Sequence, residues 1–585
     1  MTAAPHLSVW LLASALVLLP SSAFPADLSA DERLRDLYER EWAWQQAQSA
    51  QVRDENGRWV DADHLPAVDP ASQAVRLARW EAARLDLEAL EPATLSAGER
   101  INAEVFRQIL DARISRGRFR TWEAPLNSDT FFWAGLHPQM GGFSDVGAYE
   151  RYLGRLADIP RFFADQQANM RAGLARGFTP PRITLADRER SIEPYLATDE
   201  GNPFWGALAA IPDGVPEAER ERLQERGREL IREAVAPAYA SLLTFMREVY
   251  LPGARTTLAA ADLPEGAAFY RSEIRAFTTL DLSPREIHET GLAEVARIRG
   301  EMDAILAELE FDGDMADFFL FLRTDPQFYA RTPDELMGAS SYVAKRMDGK
   351  LAEVIGFLPR RRFEIRPVPD AIAPIYTGGR GGLDACLMNT YNLPARPLYT
   401  LPALTLHECA PGHALQAAIA REAPSDVPEF RAFNYFSGYG EGWGLYTEWL
   451  GGEIGIYRTP YERFGQLTYE MWRACRLVID TGVHEFGWSR ERAQAYLRDN
   501  APMSEHEITT EIDRYISWPG QALAYKLGEM LIREKRAAAQ VALGADFDQR
   551  YFHDFILALR SVPLNVLGAE LDRWIAEGGP NPFAE

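Results

Sequence analysis

One stretch of the chain combines a helical pattern with a break in it: Thr405-Leu-His-Glu-Cys-Ala-Pro-Gly-His-Ala-Leu-Gln416. Its histidines, His407 and His413, are six residues apart, which on a regular helix leaves their side chains about 120° apart. Pro411 cannot donate a backbone hydrogen bond to the carbonyl of His407, and Gly412 tolerates unusual dihedral angles. A two-residue bulge at Pro411-Gly412 would bring both histidines to one face.

Such a pair of histidines indicates a zinc site. Two ligands of one zinc ion must converge on it at about 2.0–2.1 Å, and Glu408 would then lie beside the metal, where a general base belongs. The regular pattern His-Glu-x-x-His does not occur in the chain. A kinked structural helix with two hydrogen-bonded histidines fits this segment as well as a metal site does.

The third ligand is expected downstream, in Gly438-Tyr-Gly-Glu-Gly-Trp-Gly-Leu-Tyr-Thr-Glu448. A catalytic zinc ion usually has three protein ligands and one open position. Glu441 lies among glycines that permit close backbone approach, so we expect it to be the third ligand. Glu448 is seven residues further on the same helical face and is expected to support the ligands or to replace Glu441.

A polar stripe crosses the apolar segment 471–488. Arg473, Arg476, Asp480 and His484 follow one another at spacings of 3, 4 and 4, which places them on one side of a helix. Because the other faces are apolar, the stripe is expected to face an interior cleft, where Asp480 orients His484. A structural ladder of ion pairs is the alternative.

The last candidate segment runs from residue 511 to 528. Pro519 is typical of a helix start, and it places Gln521 and Tyr525 one turn apart on the same face. A tyrosine hydroxyl near a metal can donate to a developing oxyanion, although tyrosine is more often a core residue. Arg514, like Arg473 and Arg476, is expected either to bind a peptide carboxylate or to brace the site.

Outside these segments the sequence predicts a mainly α fold. Apolar residues recur every three to four positions in residues 68–92, 98–116, 145–173, 216–250, 283–309 and 332–358. Ser283 and Thr332, each followed by proline and then acidic residues, are typical N-caps. Residues 362–400 are broken by proline and glycine and predict a small β-sheet next to the metal-site helix. We expect an N-terminal helical lobe (27–250), a C-terminal lobe (251–585) and a deep cleft.

Composition limits the classes of function. The 585 residues carry a formal net charge of −23, which disfavours a nucleic-acid partner. Three cysteines in a chain of this length cannot form a disulfide framework. No stretch after the first 26 residues reaches about 18 uncharged apolar residues, so no membrane span is expected in the mature chain.

The first 26 residues predict an exported protein. They contain no charged side chain, and Val9 to Leu19 is an apolar run followed by small residues, as in a secretory signal. A buried N-terminal helix is the alternative. No cysteine lies near the expected cleavage site, which favours a periplasmic location without a lipid anchor.

Together, the segments 407–413, 441–448, 473–488 and 519–528 resemble the bacterial DUF885 family, a metallopeptidase-like group. Members often have a second histidine after Pro-Gly-His, where this chain has Ala414. The resemblance implies a large helical fold with a deep cleft, similar to that of helical zinc oligopeptidases and carboxypeptidases. It does not imply a particular substrate.

These observations lead to the hypothesis of an exported zinc peptidase acting on oligopeptides. One zinc ion per chain would be bound by His407, His413 and Glu441, and Glu408 would activate the attacking water. The remaining site residues would stabilise the oxyanion (His484, Tyr525), bind substrate (Arg473, Arg476, Arg514, Gln521) or orient their neighbours (Glu448, Asp480). Two alternatives are a peptide-binding protein without catalysis and a metal hydrolase of another amide or ester.

Overall fold

The structure is a computed structural model that describes residues 28–138, 141–370, 373–375, 377–424 and 426–584. The predicted signal peptide, residues 1–26, lies outside these residues. Among the described helices, none has the length and hydropathy needed to cross a bilayer.

Helices account for most of the described chain, which confirms the predicted mainly α fold. The first thirteen are α1 Ala30–Gln48, α2 Pro70–Glu88, α3 Ala97–Phe119, α4 Val146–Arg176, α5 Trp205–Ala209, α6 Glu217–Leu230, α7 Ala236–Phe245, α8 Leu251–Gly253, α9 Gly266–Thr278, α10 Pro284–Glu308, α11 Met315–Thr324, α12 Pro333–Asp348 and α13 Leu351–Val354. The next ten are α14 Leu401–Glu408, α15 His413–Glu422, α16 Glu429–Ala432, α17 Ser437–Glu453, α18 Pro460–His484, α19 Arg490–Asn500, α20 Glu505–Ser517, α21 Ala524–Leu543, α22 Gln549–Ala558 and α23 Leu564–Ala576.

Local sequence sets the helix starts. Ser283 caps α10, because its side chain accepts from the backbone of Glu286 while the Glu286 carboxylate accepts from the backbone of Ser283. Thr332 caps α12 by accepting from the backbone of Glu335. Both caps are confirmed where proline at the first helical position predicted them.

Two small sheets accompany the helices. The strands β1 (Gln51–Arg53) and β2 (Trp59–Asp61) form an antiparallel pair. The strands β3 (Glu364–Pro367), β4 (Gly379–Gly381) and β5 (Ala385–Met388) form a sheet in the order β3-β5-β4, with β3 parallel and β4 antiparallel to β5. The second sheet confirms the prediction for residues 362–400, whereas the first was not predicted.

Hydrophobic cores join distant parts of the sequence. One core lies wholly within residues 65–251. Another joins helices α1–α3 to helices near the C-terminus, where Leu34 and Phe106 belong to the same cluster as Trp443 and Trp574. The first core ends at the predicted boundary, whereas the second crosses it, so the division into lobes 27–250 and 251–585 stays a prediction.

A buried network of charges fastens three long helices. The ammonium group of Lys526 on α21 is fully buried and lies 2.8 Å from Glu470 of α18, 2.8 Å from Glu529 of α21 and 3.0 Å from Glu294 of α10. Arg297 pairs with Glu294 and Glu470 in turn. Because a buried charge is costly unless it is paired, this network fixes how α10, α18 and α21 pack.

Helices α17 and α21 approach each other through glycines. A Cβ atom on Gly442 would lie 2.6 Å from the Cα of Gly528, and one on Gly528 would lie 2.0 Å from the carbonyl oxygen of Gly438. Only hydrogen fits at these positions. The crossing brings Glu441 of α17 and Tyr525 of α21 to the same side of the molecule.

Substituting Gly528→Ala is expected to lower the free energy of unfolding by about 1–3 kcal/mol, because the added methyl group separates α17 from α21. Gly338→Ala is the matched control, since a Cβ at that position of α12 meets nothing within 4 Å. It should be neutral or stabilise by up to about 1 kcal/mol through helix propensity. Urea denaturation followed by circular dichroism measures both, and equal stabilities would contradict the close crossing.

Candidate metal centre and its cavity

The chain leaves the helical path between His407 and His413, as the Pro-Gly pair predicted. Helix α14 ends at Glu408 and α15 begins at His413, so the break is a four-residue joint between two helices rather than a bulge within one. The backbone N–H of Gly412 donates to the carbonyl of Leu406, six residues earlier. A Cβ at Gly412 would lie 1.9 Å from the carbonyl oxygen of His407, so the joint requires glycine there.

The joint brings two imidazole rings and one carboxylate together. The ring centroids of His407 and His413 are 4.8 Å apart. The Oε2 atom of Glu441 lies 3.5 Å from Nε2 of His407 and 3.4 Å from Nε2 of His413. The ligand atoms of the three residues lie within 4.8 Å of one another. The structure therefore gathers the three predicted ligands at one point.

Helix α17 contributes a second carboxylate behind His407. Glu448 is fully buried, and its Oε1 atom lies 2.7 Å from Nδ1 of His407. An imidazole that donates from Nδ1 presents Nε2 as an acceptor, which is the tautomer a metal ligand requires. A Cβ at Gly444 would lie 2.7 Å from the His407 ring, so glycine permits this approach of α17 to α14. Glu448 thus holds the position predicted for an orienting residue.

The small sheet orients Glu408. The backbone N–H of Gly381 in β4 donates to Oε2 of Glu408 at 2.6 Å. A disulfide between Cys386 of β5 and Cys409, the residue after α14, ties the same sheet to the metal-site helix. The cysteine count had excluded a disulfide framework but did not predict this single pair.

Burial and the neighbouring charged groups have opposite effects on the pKa values of His407 and Glu441. Burial lowers the pKa of His407, but hydrogen bonds with Glu441 and Glu448 outweigh it and raise that pKa to about 10. A metal ion bound at Nε2 would replace the proton that this nitrogen otherwise holds. Burial also acts to raise the pKa of Glu441, but His407 and His413 hold it well below its usual range. The carboxylate of Glu441 therefore stays ionised, which favours a cation beside it.

The three candidate ligands and Glu408 line a cavity of about 1590 Å³. This volume exceeds the roughly 300–1,000 Å³ of pockets that hold drug-sized ligands. Residues from both sides of residue 250 line it, including Ser128 and Arg188 as well as Glu408. The cavity has room for an extended ligand of several residues.

Most of the other predicted site residues also line this cavity. Arg514 donates to Oε1 of Gln521 at 2.6 Å, and the same nitrogen lies 3.5 Å from the hydroxyl of Tyr525. Gln521 belongs to a short 3-10 turn before α21, and Tyr525 lies in the first turn of that helix. Gln521 and Tyr525 therefore lie on one face, as predicted, and Arg514 contacts both.

The two arginines of α18 reach the cavity wall. The guanidinium of Arg476 donates to Glu511 at 2.9 Å and stacks on the ring of Tyr525 at 4.4 Å. Arg473 stacks on Trp472 at 4.2 Å and lies 3.8 Å from Glu448. Arg473 thus supports the residue that orients His407, whereas Arg476 supports Tyr525.

Asp480 and His484 do not reach the cavity, which corrects the roles predicted for them. Asp480 accepts from the hydroxyl of Tyr270 at 2.6 Å and from the backbone of Gly520, not from His484. The Nδ1 atom of His484 accepts from the backbone of Ala260 at 3.0 Å, and its Nε2 atom lies 2.8 Å from the carbonyl oxygen of Tyr515.

The reason is that α18 is longer than the cavity wall it helps to form. Arg473 and Arg476 lie where the helix borders the cavity, whereas Asp480 and His484 lie where other segments cover it. The predicted oxyanion donor His484 and the predicted orienting residue Asp480 are therefore structural residues.

Sequence reasoning missed one residue at the centre. The hydroxyl of Tyr435, in the loop before α17, lies 3.2 Å from Oε1 of Glu441. The position of this tyrosine requires glycine at residue 440, because a Cβ at Gly440 would lie 2.2 Å from the Tyr435 hydroxyl. The sequence offered no spacing that distinguished Tyr435 from the neighbouring aromatic residues.

Comparisons with known proteins agree on the fold. A family model described as "Bacterial protein of unknown function (DUF885)" matches residues 48–571. No curated protein matches the chain.

Two solved structures are similar. One is described as "the putative lipoprotein from Colwellia psychrerythraea"; it is 25% identical, has a TM-score of 0.85, and the match covers 94% of this chain and 100% of that chain. The other, "a putative lipoprotein of unknown function from Shewanella oneidensis", is 18% identical with a TM-score of 0.67, over 93% and 100% of the two chains.

The burial of His484 predicts a dependence of stability on pH. Burial lowers the pKa of His484 to about 3, so the folded protein keeps it neutral while the unfolded chain binds a proton below about pH 6.5. Above that pH His484 is neutral in both states and does not change the free energy of unfolding. Below it, protonation of the unfolded chain lowers the free energy of unfolding progressively. At pH 5.5 the loss from this residue is about 1.4 kcal/mol.

His484→Gln isolates this effect, because glutamine retains a donor for Tyr515 but does not titrate. Between pH 7.5 and pH 5.5 the wild type should lose about 1.4 kcal/mol more unfolding free energy than the variant. Urea denaturation at both pH values measures the difference. Equal losses would show that His484 is not held neutral.

Proposed function

The chain belongs to the DUF885 family of bacterial proteins, and from that premise we propose that it is an exported, zinc-dependent peptidase. The observation that carries the proposal is the convergence of His407, His413 and Glu441 beside Glu408 in the wall of one large cavity. Two histidines and one carboxylate are a recurring ligand set of catalytic zinc in peptidases.

The geometry of the three residues fits a zinc ion. Tetrahedral bonds of about 2.0–2.1 Å place neighbouring ligand atoms about 3.3 Å apart. The distances from Glu441 to the two imidazole nitrogens, 3.4 and 3.5 Å, match that spacing. The contact of His407 with Glu448 is the kind of outer hydrogen bond that fixes a metal-binding imidazole. A bound zinc ion would polarise the scissile carbonyl and make water more acidic.

Glu408 is the proposed general base. It follows the ligand His407 directly in α14, and its carboxylate lines the cavity. The hydrogen bond from Gly381 holds one carboxylate oxygen, which fixes the orientation of the group. In this position Glu408 takes the proton from the attacking water and passes it to the leaving amine.

Two tyrosines have separate roles in the proposal. Tyr525 donates to the oxyanion that develops on the carbonyl, and its contacts with Arg476 and Arg514 hold it in the cavity wall. Tyr435 bonds to the carboxylate of Glu441 and positions this ligand.

Three observations support an oligopeptide substrate and export. The cavity is larger than a small-molecule pocket, and its walls carry both aromatic side chains and arginines, which suit side chains and carboxylates of a peptide. The disulfide between Cys386 and Cys409 is typical of proteins from oxidising compartments. The lipoprotein description of the structure that is 25% identical also favours export.

Glu408→Gln tests the mechanism. Because glutamine keeps the shape of the side chain but cannot accept a proton, the variant should retain about one zinc per chain and lose turnover. Elemental analysis gives the metal content, and mass spectrometry of a mixed peptide library before and after incubation gives the cleavage products.

Three outcomes would contradict the proposal. A wild-type protein without metal would refute the zinc site, and a metal-loaded protein that cleaves esters or other amides but no peptide would refute the substrate class. A Glu408→Gln variant with unchanged turnover would remove Glu408 from the mechanism.

Tyr525→Phe should retain zinc and lose about 10²–10³ in kcat with little change in KM, because the hydroxyl acts only as negative charge develops. Tyr435→Phe should instead weaken zinc binding by about 10–100-fold, since it removes a bond to a ligand. His484→Gln is the control outside the cavity and should change kcat by less than a factor of about three. A Tyr525→Phe variant with wild-type kcat would assign Tyr525 to packing.

A further inference from the structure

The cavity wall contains a group of arginines that the proposed chemistry does not use. Arg421 lies in the last turn of α15, Arg431 lies in α16 and Arg560 follows α22, and all three line the cavity. Burial and the neighbouring Arg560 lower the pKa of Arg431 to about 10, and burial and Arg421 lower the pKa of Arg560. Arg431 also donates to the carbonyl of Leu559, the residue before Arg560, so these two arginines come from segments in direct contact, and Arg421 lines the same cavity.

These arginines make no direct ion pair with a carboxylate of the described residues, although Glu99 and Glu570 attract Arg431 from a longer distance. Among the residues that the structure describes, no carboxylate pairs with Arg421, Arg431 or Arg560, although the chain has 85 acidic residues and only 62 basic ones. Several other arginines of the cavity wall are paired, such as Arg396 with Glu507 at 3.4 Å and Arg476 with Glu511 at 2.9 Å. Because Arg431 is buried without a direct carboxylate partner, its charge favours an anion nearby, whereas Arg560 is partly buried and Arg421 is exposed to solvent.

The cluster also has unused hydrogen-bond donors. Arg431 is only 5% exposed, and it donates to two neutral groups, Oδ1 of Asn102 at 2.9 Å and the carbonyl oxygen of Leu559 at 2.6 Å. Its Nε atom and the Nδ2 atom of Asn434 are buried and have no partner among the described residues. Both residues line the cavity. Buried donors are normally satisfied, so these two point to a ligand.

Helix α15 sets the distance between the cluster and the metal centre. Arg421 is eight residues after His413, which at 1.5 Å per residue is about 12 Å along the helix. Gln416, Ala417 and Ala420 line the cavity between them. An extended peptide advances about 3.3 Å per residue, so about four residues would cover this distance.

We propose that Arg421, Arg431 and Arg560 form an anion subsite that binds a carboxylate of the substrate, about four residues from the bond that is cleaved. The inference rests on the proposed peptide substrate and adds that the enzyme selects acidic peptides. The carboxylate belongs either to an acidic side chain or to the C-terminus. The subsite is separate from the pair Arg476 and Arg514, which share Glu511 as a partner.

The test compares the binding of peptides that differ only in charge. The protein carries Glu408→Gln so that no peptide is consumed, and calorimetry measures binding at fixed ionic strength. The probes are amidated hexapeptides of Ala and Ser with one Glu at each position in turn, and each has a counterpart with Gln. A hexapeptide without Glu, with a free or an amidated C-terminus, distinguishes the terminal carboxylate from a side chain.

We expect at least one carboxylate-bearing peptide to bind about tenfold more tightly than its neutral counterpart. Arg421→Gln and Arg560→Gln, each added to the Glu408→Gln protein, should reduce this ratio to below about threefold. Arg190→Gln is the matched control, because Arg190 also lines the cavity but pairs with Asp187 at 3.2 Å, and it should preserve the ratio.

Three results would overturn the subsite: no charge preference at any position, no measurable binding of any peptide, or a preference that persists when both Arg421 and Arg560 are replaced. Cleavage of the same peptides by the wild-type protein is measured separately. A charge preference that the arginine variants abolish, together with no cleavage, would refute the peptidase and leave the subsite intact. Cleavage without a charge preference would refute the subsite alone.

Discussion

The contact between α14 and α17 is the constraint on which the candidate site depends. Gly444 allows α17 to lie against the ring of His407, and Glu448, one turn later, bonds to Nδ1 of that ring at 2.7 Å. The same contact places Glu441, one turn earlier on α17, opposite Nε2 of His407. A side chain at residue 444 would push the helices apart and separate the carboxylates from the imidazole.

The four residues between α14 and α15 complete this arrangement. Because Gly412 folds back on the carbonyl of His407, His413 begins a new helix whose first side chain faces the same point. The neighbouring sheet bonds to Glu408 through Gly381 and is joined to the end of α14 by the disulfide of Cys386. The side chains of the centre are thus held by rigid elements rather than by mobile loops, as precise positioning requires.

Charge is distributed unevenly around the cavity. The candidate metal centre is rich in carboxylates, whereas ten arginines and six acidic residues, among the described residues, line the cavity as a whole. The protein as a whole carries −23. A cavity of opposite sign to the surrounding surface concentrates anionic ligands, because low-dielectric walls focus the field. The proposed metal ion and the proposed peptide carboxylates would thus bind in regions of opposite charge.

The sequence alone was sufficient to predict the helices, their caps and the break between α14 and α15, because these features depend on residues that are close together along the chain. Apolar periodicity and the caps at Ser283 and Thr332 are properties of single segments, so the helices could be predicted. The Pro411-Gly412 pair indicated a departure from helix. Because His407 and His413 are only six residues apart in sequence, their convergence depends on the backbone of this short segment alone. Glu441 and Glu448 could be placed relative to each other because they share one helix.

Only the tertiary structure decided which side of each helix faces the cavity and which distant residues meet there. The four polar residues of the stripe do lie on one helix, α18, but the helix continues beyond the cavity. Asp480 and His484 therefore bond to the segments that cover them. Tyr435, the pairing of Cys386 with Cys409, and the cluster around Arg431 join segments that are far apart in sequence or lack a periodic signal. Periodicity reports the face of one helix, whereas such contacts depend on how the helices pack in three dimensions.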